Sequence, residues 1–288
     1  MRIGVVGNRR YAGLASVLAT LRRRAQDLGL TFFFESELSD FRAENERLDE
    51  LTPVDALLTL GGDGTMLRGA RLVAGRPIPI LGVNLGRLGF LTTCGLDALE
   101  RAIERMAARD FVVERRMALT AACPGGGADR RWHALNDVVL HKGGFARVVH
   151  LRVSVDEELI GAYAADGLIV STPTGSTAYS LSAGGPVVVP TFESIIITPI
   201  SAHTLAVRPL VLPGSAEIEV RADDGPDQLL ITIDGQVGAT FSGDDTLFVR
   251  RAQEPVLMVR FSDSLFFARM RRKLGWGGLR ERDESDLC

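Results

Sequence analysis

Leu57-Leu58-Thr59-Leu60-Gly61-Gly62-Asp63-Gly64-Thr65 decides how this chain of 288 residues is read. The apolar run Val54–Leu60 has the length of a buried strand, and it runs straight into a glycine-rich turn. A helix is expected to open at about Met66, with Thr65 as its N-cap. Glycines let a backbone approach a bulky anion, and the free N–H groups at a helix N-terminus bind phosphate. The carboxylate of Asp63 is the anomaly, because an acid facing a phosphate repels it unless it serves chemistry or a metal. A tight βα turn with Asp63 as a local cap is the plainer reading of the same residues. No Gly-x4-Gly-Lys-Ser/Thr occurs, and Gly4-Val5-Val6-Gly7 does not fit Gly-x-Gly-x-x-Gly. P-loop nucleotidases and Rossmann dehydrogenases are both demoted.

Working outward, strand and helix signals alternate through the first hundred residues. Arg2–Val6, Leu30–Glu35 and Pro79–Val83 read as strands. Tyr11–Leu28 sets Leu14, Val17, Leu18 and Leu21 on one helical face, with Gly29 as its C-cap. Met66–Val73 and Leu96–Arg109 read as further helices. This alternation predicts a parallel sheet covered by helices over residues 1–112. From Val113 to about Ser262 the period changes to two: Ala216, Ile218, Val220; Leu229, Ile231, Ile233; Leu257, Val259, Phe261. Turn signals at Gly125-Gly126-Gly127, Asp156-Glu157-Glu158, Asp223-Asp224-Gly225 and Gly243-Asp244-Asp245 punctuate it, so residues 113–262 read as an antiparallel β domain. Residues 263–288 carry a final helix, Ser264–Leu274, striped by Leu265, Phe266, Met270 and Leu274 and expected to pack back on the first domain. Its Arg269, Arg271, Arg272 and Lys273 read as a solvated face.

Composition narrows the classes. The chain is 46% hydrophobic, 24% charged and 6% aromatic, as a globular protein is. No apolar run approaches the ~18 residues of a membrane span, and the glycine-rich start does not suit a secretory signal. A net charge of −3 argues against a generic nucleic-acid surface. Cys94, Cys123 and Cys288 are odd in number and far apart, and suit a reducing, cytoplasmic setting. They and the four histidines lack zinc-like spacing, so no protein-built metal site is expected. Lys142 and Lys273 are the only lysines, which limits any mechanism that needs one.

A second informative stretch runs from Asp166 to Pro186, through Ser171-Thr172-Pro173-Thr174-Gly175-Ser176-Thr177-Ala178-Tyr179-Ser180-Leu181-Ser182. A strand with an acid at its start feeds a long loop of hydroxyls and glycines that offers N–H groups and one aromatic face to a polar, flat ligand. Asn136-Asp137 sets an amide and a carboxylate at a strand end, although alone it signals a turn. Asn84-Leu85-Gly86-Arg87-Leu88-Gly89-Phe90-Leu91 follows a strand and would form a loop at the carboxyl edge of the sheet, where α/β proteins bind ligands. Asp234-Gly235-Gln236 ends a strand, and reads equally well as a hairpin turn.

Taken together, Gly61–Thr65, Asn84–Leu91, Asn136–Leu140, Asp166–Pro186, Pro199–Pro213 and Asp234–Gln236 resemble the bacterial NAD kinase family over essentially the whole chain. The resemblance implies a Rossmann-like parallel α/β domain and a C-terminal antiparallel β-sandwich-like domain. It implies transfer of the γ-phosphoryl group of ATP to the 2′-hydroxyl of the adenosine ribose of NAD, giving NADP. Asp63 would be the general base, Gly61, Gly62, Gly64 and Thr65 would shape the phosphate turn, and Arg68 would meet phosphate, with Asn84 nearby. Asn136 and Asp137 would hold the adenosine, and Ala164 and Asp166 would lie near a nucleoside end. Thr177, Ala178, Tyr179, Ser180, Leu181 and Ser182 would contact the dinucleotide, with Arg147 and Gln236 at its edges. Mg²⁺ or another divalent cation would arrive bound to ATP. A homodimer or homotetramer is implied, in which a neighbouring subunit completes a pocket. The family usually has Glu where this chain has Asp137, whose reach is shorter by about one methylene.

Two other readings compete. A diacylglycerol-type lipid kinase shares the Gly-Gly-Asp-Gly-Thr turn, but would not need Asn136-Asp137 or Thr177–Ser182, and no basic amphipathic helix invites a membrane. A catalytically silent NAD-binding sensor would keep the pocket without needing an acid at Asp63.

Overall fold

A computed structural model of the chain describes residues 1–49, 51–86, 89–124, 130–143, 148–203, 206–223, 229–261 and 266–275. Arg87, Leu88, Gly125-Gly126-Gly127, Arg147, Asp224-Gly225 and Leu265, singled out above, lie outside them. The first sheet is built on β1 (Arg2–Gly7), β2 (Thr31–Phe34), β3 (Ala56–Leu60) and β4 (Ile80–Asn84), parallel and in the order β2-β1-β3-β4. Every residue of β3 and β4 is buried, so both read as continuous apolar runs rather than alternating ones. Helices α1 (Leu14–Leu28) and α3 (Leu99–Ala107) cover one face, over Ile3, Val5, Leu58 and Leu81. Helix α2 (Asp63–Leu72) covers the other, over Val6, Leu57 and Ile80. The expected apolar face of α1 is buried, and the helix ends at Gly29 in the left-handed region, its N–H reaching the Ala25 carbonyl.

Two expectations about this part need correction. Helix α2 opens at Asp63, not near Met66, and its N-cap is Gly62, so Thr65 does not cap it. Thr65 instead lies over Gly61, where a Cβ would stand 2.2 Å from its Oγ1. Glycine serves as an N-cap almost as well as a hydroxyl residue does, and here it leaves the space before the helix open. Second, the alternation at Leu257, Val259 and Phe261 does not belong with the β domain's sheets. The strand Val256–Arg260 joins the first sheet, parallel to β4 at Met258–Ile80 and antiparallel to Val112–Arg116. An antiparallel edge on a parallel sheet is common, and period-two alternation does not say which sheet a strand joins.

The intervening chain forms two antiparallel six-stranded sheets. One runs Glu158–Ala165, Val149–Val155, Ile218–Ala222, Thr246–Arg251, Leu119–Cys123, Arg130–Ala134. The other runs Leu210–Pro213, Ser194–Ile200, Gly167–Ser171, Asp137–Lys142, Leu229–Ile233, Val237–Phe241. Leu119, Leu151, Val220 and Val249 of the former share a core with Val138, Leu140, Leu168, Ile197 and Ile231 of the latter, which makes a sandwich. Register fixes what stands at each end of the second of these sheets. Ser171 pairs with Asp137, and Ile233 with Val138, so Asp137, Thr172 and Asp234 meet at one end. Gly167 pairs with His141 at the other. The segment expected as one long loop carries two short helices, Gly175–Thr177 (3-10) and Tyr179–Ser182 (α).

The terminal helix Phe266–Leu274 buries Met270. Arg271, Arg272 and Lys273 are exposed as expected, but Arg269 is not part of that face. Its guanidinium turns inward and donates to the Phe90 carbonyl at 2.6 Å.

Candidate active site

Asp63 opens α2 at the carboxyl edge of the first sheet, beside the segment that follows β4. Its carboxylate accepts the Phe90 N–H at 2.8 Å and the Leu91 N–H at 3.1 Å, one on each oxygen. The close approach depends on Gly89, where a Cβ would stand 1.9 Å from an Asp63 oxygen. The Gly62 carbonyl accepts the Thr65 and Met66 N–H groups at 3.0 and 3.2 Å, and the N–H groups of Asp63 and Gly64 before them come too early in the helix to find an acceptor within it. Positive partial charge and one fixed carboxylate therefore stand together at the head of this helix.

The sandwich brings a second group of acids and amides to the same junction. Asp234 is buried in the hairpin turn after Leu229–Ile233 and accepts the N–H groups of Leu135, Asn136 and Asp137 at 3.1, 2.7 and 3.2 Å. The residue is thus both a hairpin turn and the anchor that fixes Asn136-Asp137. Asn136 Oδ1 is buried and receives no donor among the described residues. A buried acceptor left unmet costs about 1–3 kcal/mol, so a donor from a ligand fits there. The Asp137 carboxyl is pushed up to about 7 by burial, and further by the neighbouring Asp234 carboxylate. Burial also raises Asp234, against the opposing pull of its three N–H donors and Arg71.

The Thr172–Gly185 segment closes over these residues. Thr172 donates to the Leu135 carbonyl at 2.6 Å, and its N–H to that of Asn136 at 2.9 Å. Gly175 is pressed on the backbone of Asn136, its Cβ position only 2.0 Å from the Asn136 carbonyl oxygen. Tyr179 and Ser182 are exposed, and Thr177, Ala178 and Leu181 half-buried. Ser180 differs: it is buried, and its hydroxyl pairs with Thr198 at 2.9 Å. Gln236 is brought to the turn, its Nε2 donating to Gly64 O at 2.9 Å while its Oε1 accepts from Arg71 at 2.7 Å.

Other expected residues stand differently. Arg68 is engaged by Glu37, by Glu35 at 2.8 Å and by the Gly7 carbonyl at 2.7 Å, so it would meet a phosphate only by releasing an acid. Asn84 is buried and accepts the Gly86 N–H at 2.6 Å, which shapes its own loop. Ala164 and Asp166 are not brought to Asp63. They lie beyond the far end of Gly167–Ser171, about 17 Å from the Asp137 end at ~3.4 Å per strand residue. There Lys142 Nζ donates to Asp166 at 2.5 Å. Among the described residues, no three His, Cys, Asp or Glu side chains gather as a metal site. Sequence reasoning gave no site role to Gly89, Lys142 or Arg269; Gly89 lay inside the Asn84–Leu91 stretch, whereas Arg269 was read as part of a solvated face.

A fixed carboxylate beside a glycine-rich turn at a helix N-terminus, without a P-loop lysine, fits a phosphotransferase of the kind that works by positioning. The family model for the ATP-NAD kinase N-terminal domain matches residues 3–111, and that for the ATP-NAD kinase C-terminal domain matches residues 135–261. An NAD kinase of Gemmatimonas aurantiaca is 64% identical over 285 residues, covering 98% of this chain and 99% of that protein. One from Moorella thermoacetica is 46% identical, covering 82% and 76%. The crystal structure of an NAD kinase from Archaeoglobus fulgidus in complex with ATP is similar with a TM-score of 0.75 and 27% identity, covering 96% of this chain and 98% of that one. Yeast NADH kinase complexed with NADH shares the fold, with a TM-score of 0.87 at 24% identity, covering 96% and 88%. The chain belongs to the NAD kinase family, and its activity is that of an NAD kinase. The lipid-kinase and silent-sensor readings are set aside by the full-length match.

Two tests follow from this geometry. Gly89→Ala drives a methyl into the Asp63 carboxylate and is expected to lower kcat at least about 10-fold, at a stability cost of about 1–3 kcal/mol. Steady-state kinetics beside urea unfolding check this, and wild-type kcat in the variant would show that the contact is not needed. The second concerns pH. The folded chain holds a proton on Asp137 that the unfolded chain, with a carboxyl near 4, releases earlier. Stability therefore falls as pH rises from about 4 to about 7. Asp137→Asn should remove that slope, so the variant's melting temperature rises relative to wild type between pH 5 and 8. Parallel melting curves across that range would contradict it.

Proposed function

We propose that Asp63 is the general base that lets the 2′-hydroxyl of the adenosine ribose of NAD attack the γ-phosphorus of ATP. The 2′-oxygen forms the new P–O bond, its proton passes to the Asp63 carboxylate, and ADP leaves with the electrons of the broken P–O bond. The observation that carries this reading is the clamped carboxylate itself. A carboxylate has about four lone-pair sites, and the Phe90 and Leu91 N–H groups occupy two, leaving room for a hydroxyl proton. Phosphoryl transfer is mostly positioning and charge neutralisation, so a fixed base and helix N–H donors suit it without a catalytic lysine.

In this reading the phosphates of ATP lie over Gly61, Gly62, Gly64 and Thr65, with Arg68 released from Glu37 to meet them. The divalent cation, Mg²⁺ by expectation, comes as part of the donor, held by phosphate oxygens and water. The unmet Asn136 oxygen and the Asp137 carboxyl take donors of the adenosine. Thr177, Ala178, Tyr179, Leu181 and Ser182 line the dinucleotide, with Gln236 and Arg147 at its edges; Ser180 shapes the wall through Thr198. Ala164 and Asp166, far from Asp63 in their own subunit, would serve the pocket of a neighbouring copy in a homodimer or homotetramer. Lys142 neutralises Asp166 there, and Ala164 is small and uncharged, so neither residue selects strongly between NAD and NADH. In this reading the enzyme acts on free nucleotides in the cytoplasm. No helix among the described residues is long and apolar enough to cross a membrane.

Asp63→Asn keeps the size of the side chain and removes its power to take a proton. It is expected to lower kcat by about 10²–10⁴ while calorimetry finds NAD bound within a few-fold of wild type. More than about a tenth of wild-type kcat in the folded variant would show that Asp63 is not the base.

A further inference from the structure

The peptide that holds Asp63 is itself held from behind. The Leu91 N–H that donates to Asp63 belongs to the same amide as the Phe90 carbonyl, and that carbonyl accepts the Arg269 guanidinium at 2.6 Å. Guanidinium, amide and carboxylate thus form one chain. The next carbonyl, that of Leu91, accepts Arg260 Nη1 at 3.0 Å. Arg260 is buried and fixed in turn by Glu114 at 2.6 Å and by Thr93 at 3.2 Å. Glu114 also pairs with Arg116 at 2.9 Å, and Arg116 donates to Thr174 at 3.2 Å, within the segment that closes on Asn136. Arg269 of the helix Phe266–Leu274, expected from sequence to lie on a solvated basic face, therefore reaches the back of the peptide that holds Asp63.

We propose that Arg269 is a positioning residue for the phosphoryl transfer, acting on Asp63 through the Phe90–Leu91 peptide. The inference rests on Asp63 being the base. An amide whose carbonyl is bound by a cation is polarised and donates more strongly through its N–H, so Arg269 tightens one of the two bonds that orient the carboxylate. It also fixes the peptide in space, because a charge-assisted bond to a carbonyl resists displacement more than a neutral one does. Burial pulls the guanidinium down to about 10, which leaves it cationic at neutral pH. Arg260 and Arg116 oppose that charge and Asp63 favours it. Arg269 and Asp63 are therefore coupled electrostatically as well as through the amide. Arg260 is the more buried of the two arginines that bind this segment, and its carboxylate and hydroxyl partners give it a structural part. Arg269, on a terminal helix, acts on the turn and can be replaced with less risk to the fold.

The test is a double-mutant cycle on the full chain, read as NADP formation. Arg269→Gln is expected to lower kcat about 10-fold while KM for NAD and for ATP each move less than about 3-fold. Arg269→Lys keeps a charged donor and should return kcat to within about 3-fold of wild type. Arg271→Gln, on an exposed position of the same helix, should leave kcat unchanged. In an Asp63→Asn background, Arg269→Gln should add less than about 2-fold, because the side chain works through the carboxylate. Multiplying losses, or a Lys variant as slow as the Gln variant, would overturn the proposal while leaving Asp63 as the base. Wild-type kcat in Asp63→Asn alone would overturn the reading beneath it. If Arg269→Gln does not fold, as its melting temperature will tell, the same cycle run with Arg269→Met, which keeps an unbranched stem and removes the donor, decides the matter by the same criterion.

Discussion

Two backbone N–H groups on one carboxylate organise this molecule's candidate site. Asp63 starts a helix, and a side chain there would ordinarily turn to solvent or cap its own first turn. The amides of Phe90 and Leu91 instead draw it toward the loop after β4. The arrangement requires a glycine at position 89, since any Cβ there would coincide with the carboxylate. It also requires that the parallel strands β3 and β4 be neighbours, because the acid follows one and its donors follow the other. The sheet order is thus a condition of this clamp.

The sandwich contributes by register rather than by any single contact. Antiparallel pairing puts the start of Asp137–Lys142 beside the ends of Gly167–Ser171 and Leu229–Ile233. Asp234 converts that coincidence into a rigid platform by gathering three consecutive N–H groups. Gln236, two residues further along the hairpin, ties the platform to Gly64 and so to the helix that carries Asp63. Buried acids on the platform carry an electrostatic cost, which appears as the raised Asp137 carboxyl.

Much of this was legible in the residues. The switch from alternating strands and helices to period-two alternation separated the parallel sheet from the sandwich, and the Gly-Gly-Asp-Gly turn marked where the acid stands. What escaped has physical reasons. Leu257, Val259 and Phe261 alternate as an antiparallel strand does, and alternation carries no information about which sheet a strand joins. Thr65 has the chemistry of an N-cap, yet the glycine before Asp63 takes that place, and only backbone geometry decides between them. Arg269 sits in a run of basic residues, where local sequence favours solvent. Its partner is a carbonyl some 179 positions away, invisible to any local pattern. The apparent single site of the sequence also divides in space, because Ala164 and Asp166 lie a full strand's length from Asp137.

The clamp on Asp63 can be read directly by amide hydrogen exchange at Phe90 and Leu91, compared between the wild-type chain and Asp63→Ala. Both amides are expected to be protected in the wild type and to exchange at least about 10-fold faster once the carboxylate is gone, while amides in the core of β4 stay as slow as before. Equal protection of Phe90 and Leu91 in the two proteins would mean that the carboxylate does not hold this peptide, and the account of the site built on it would fail.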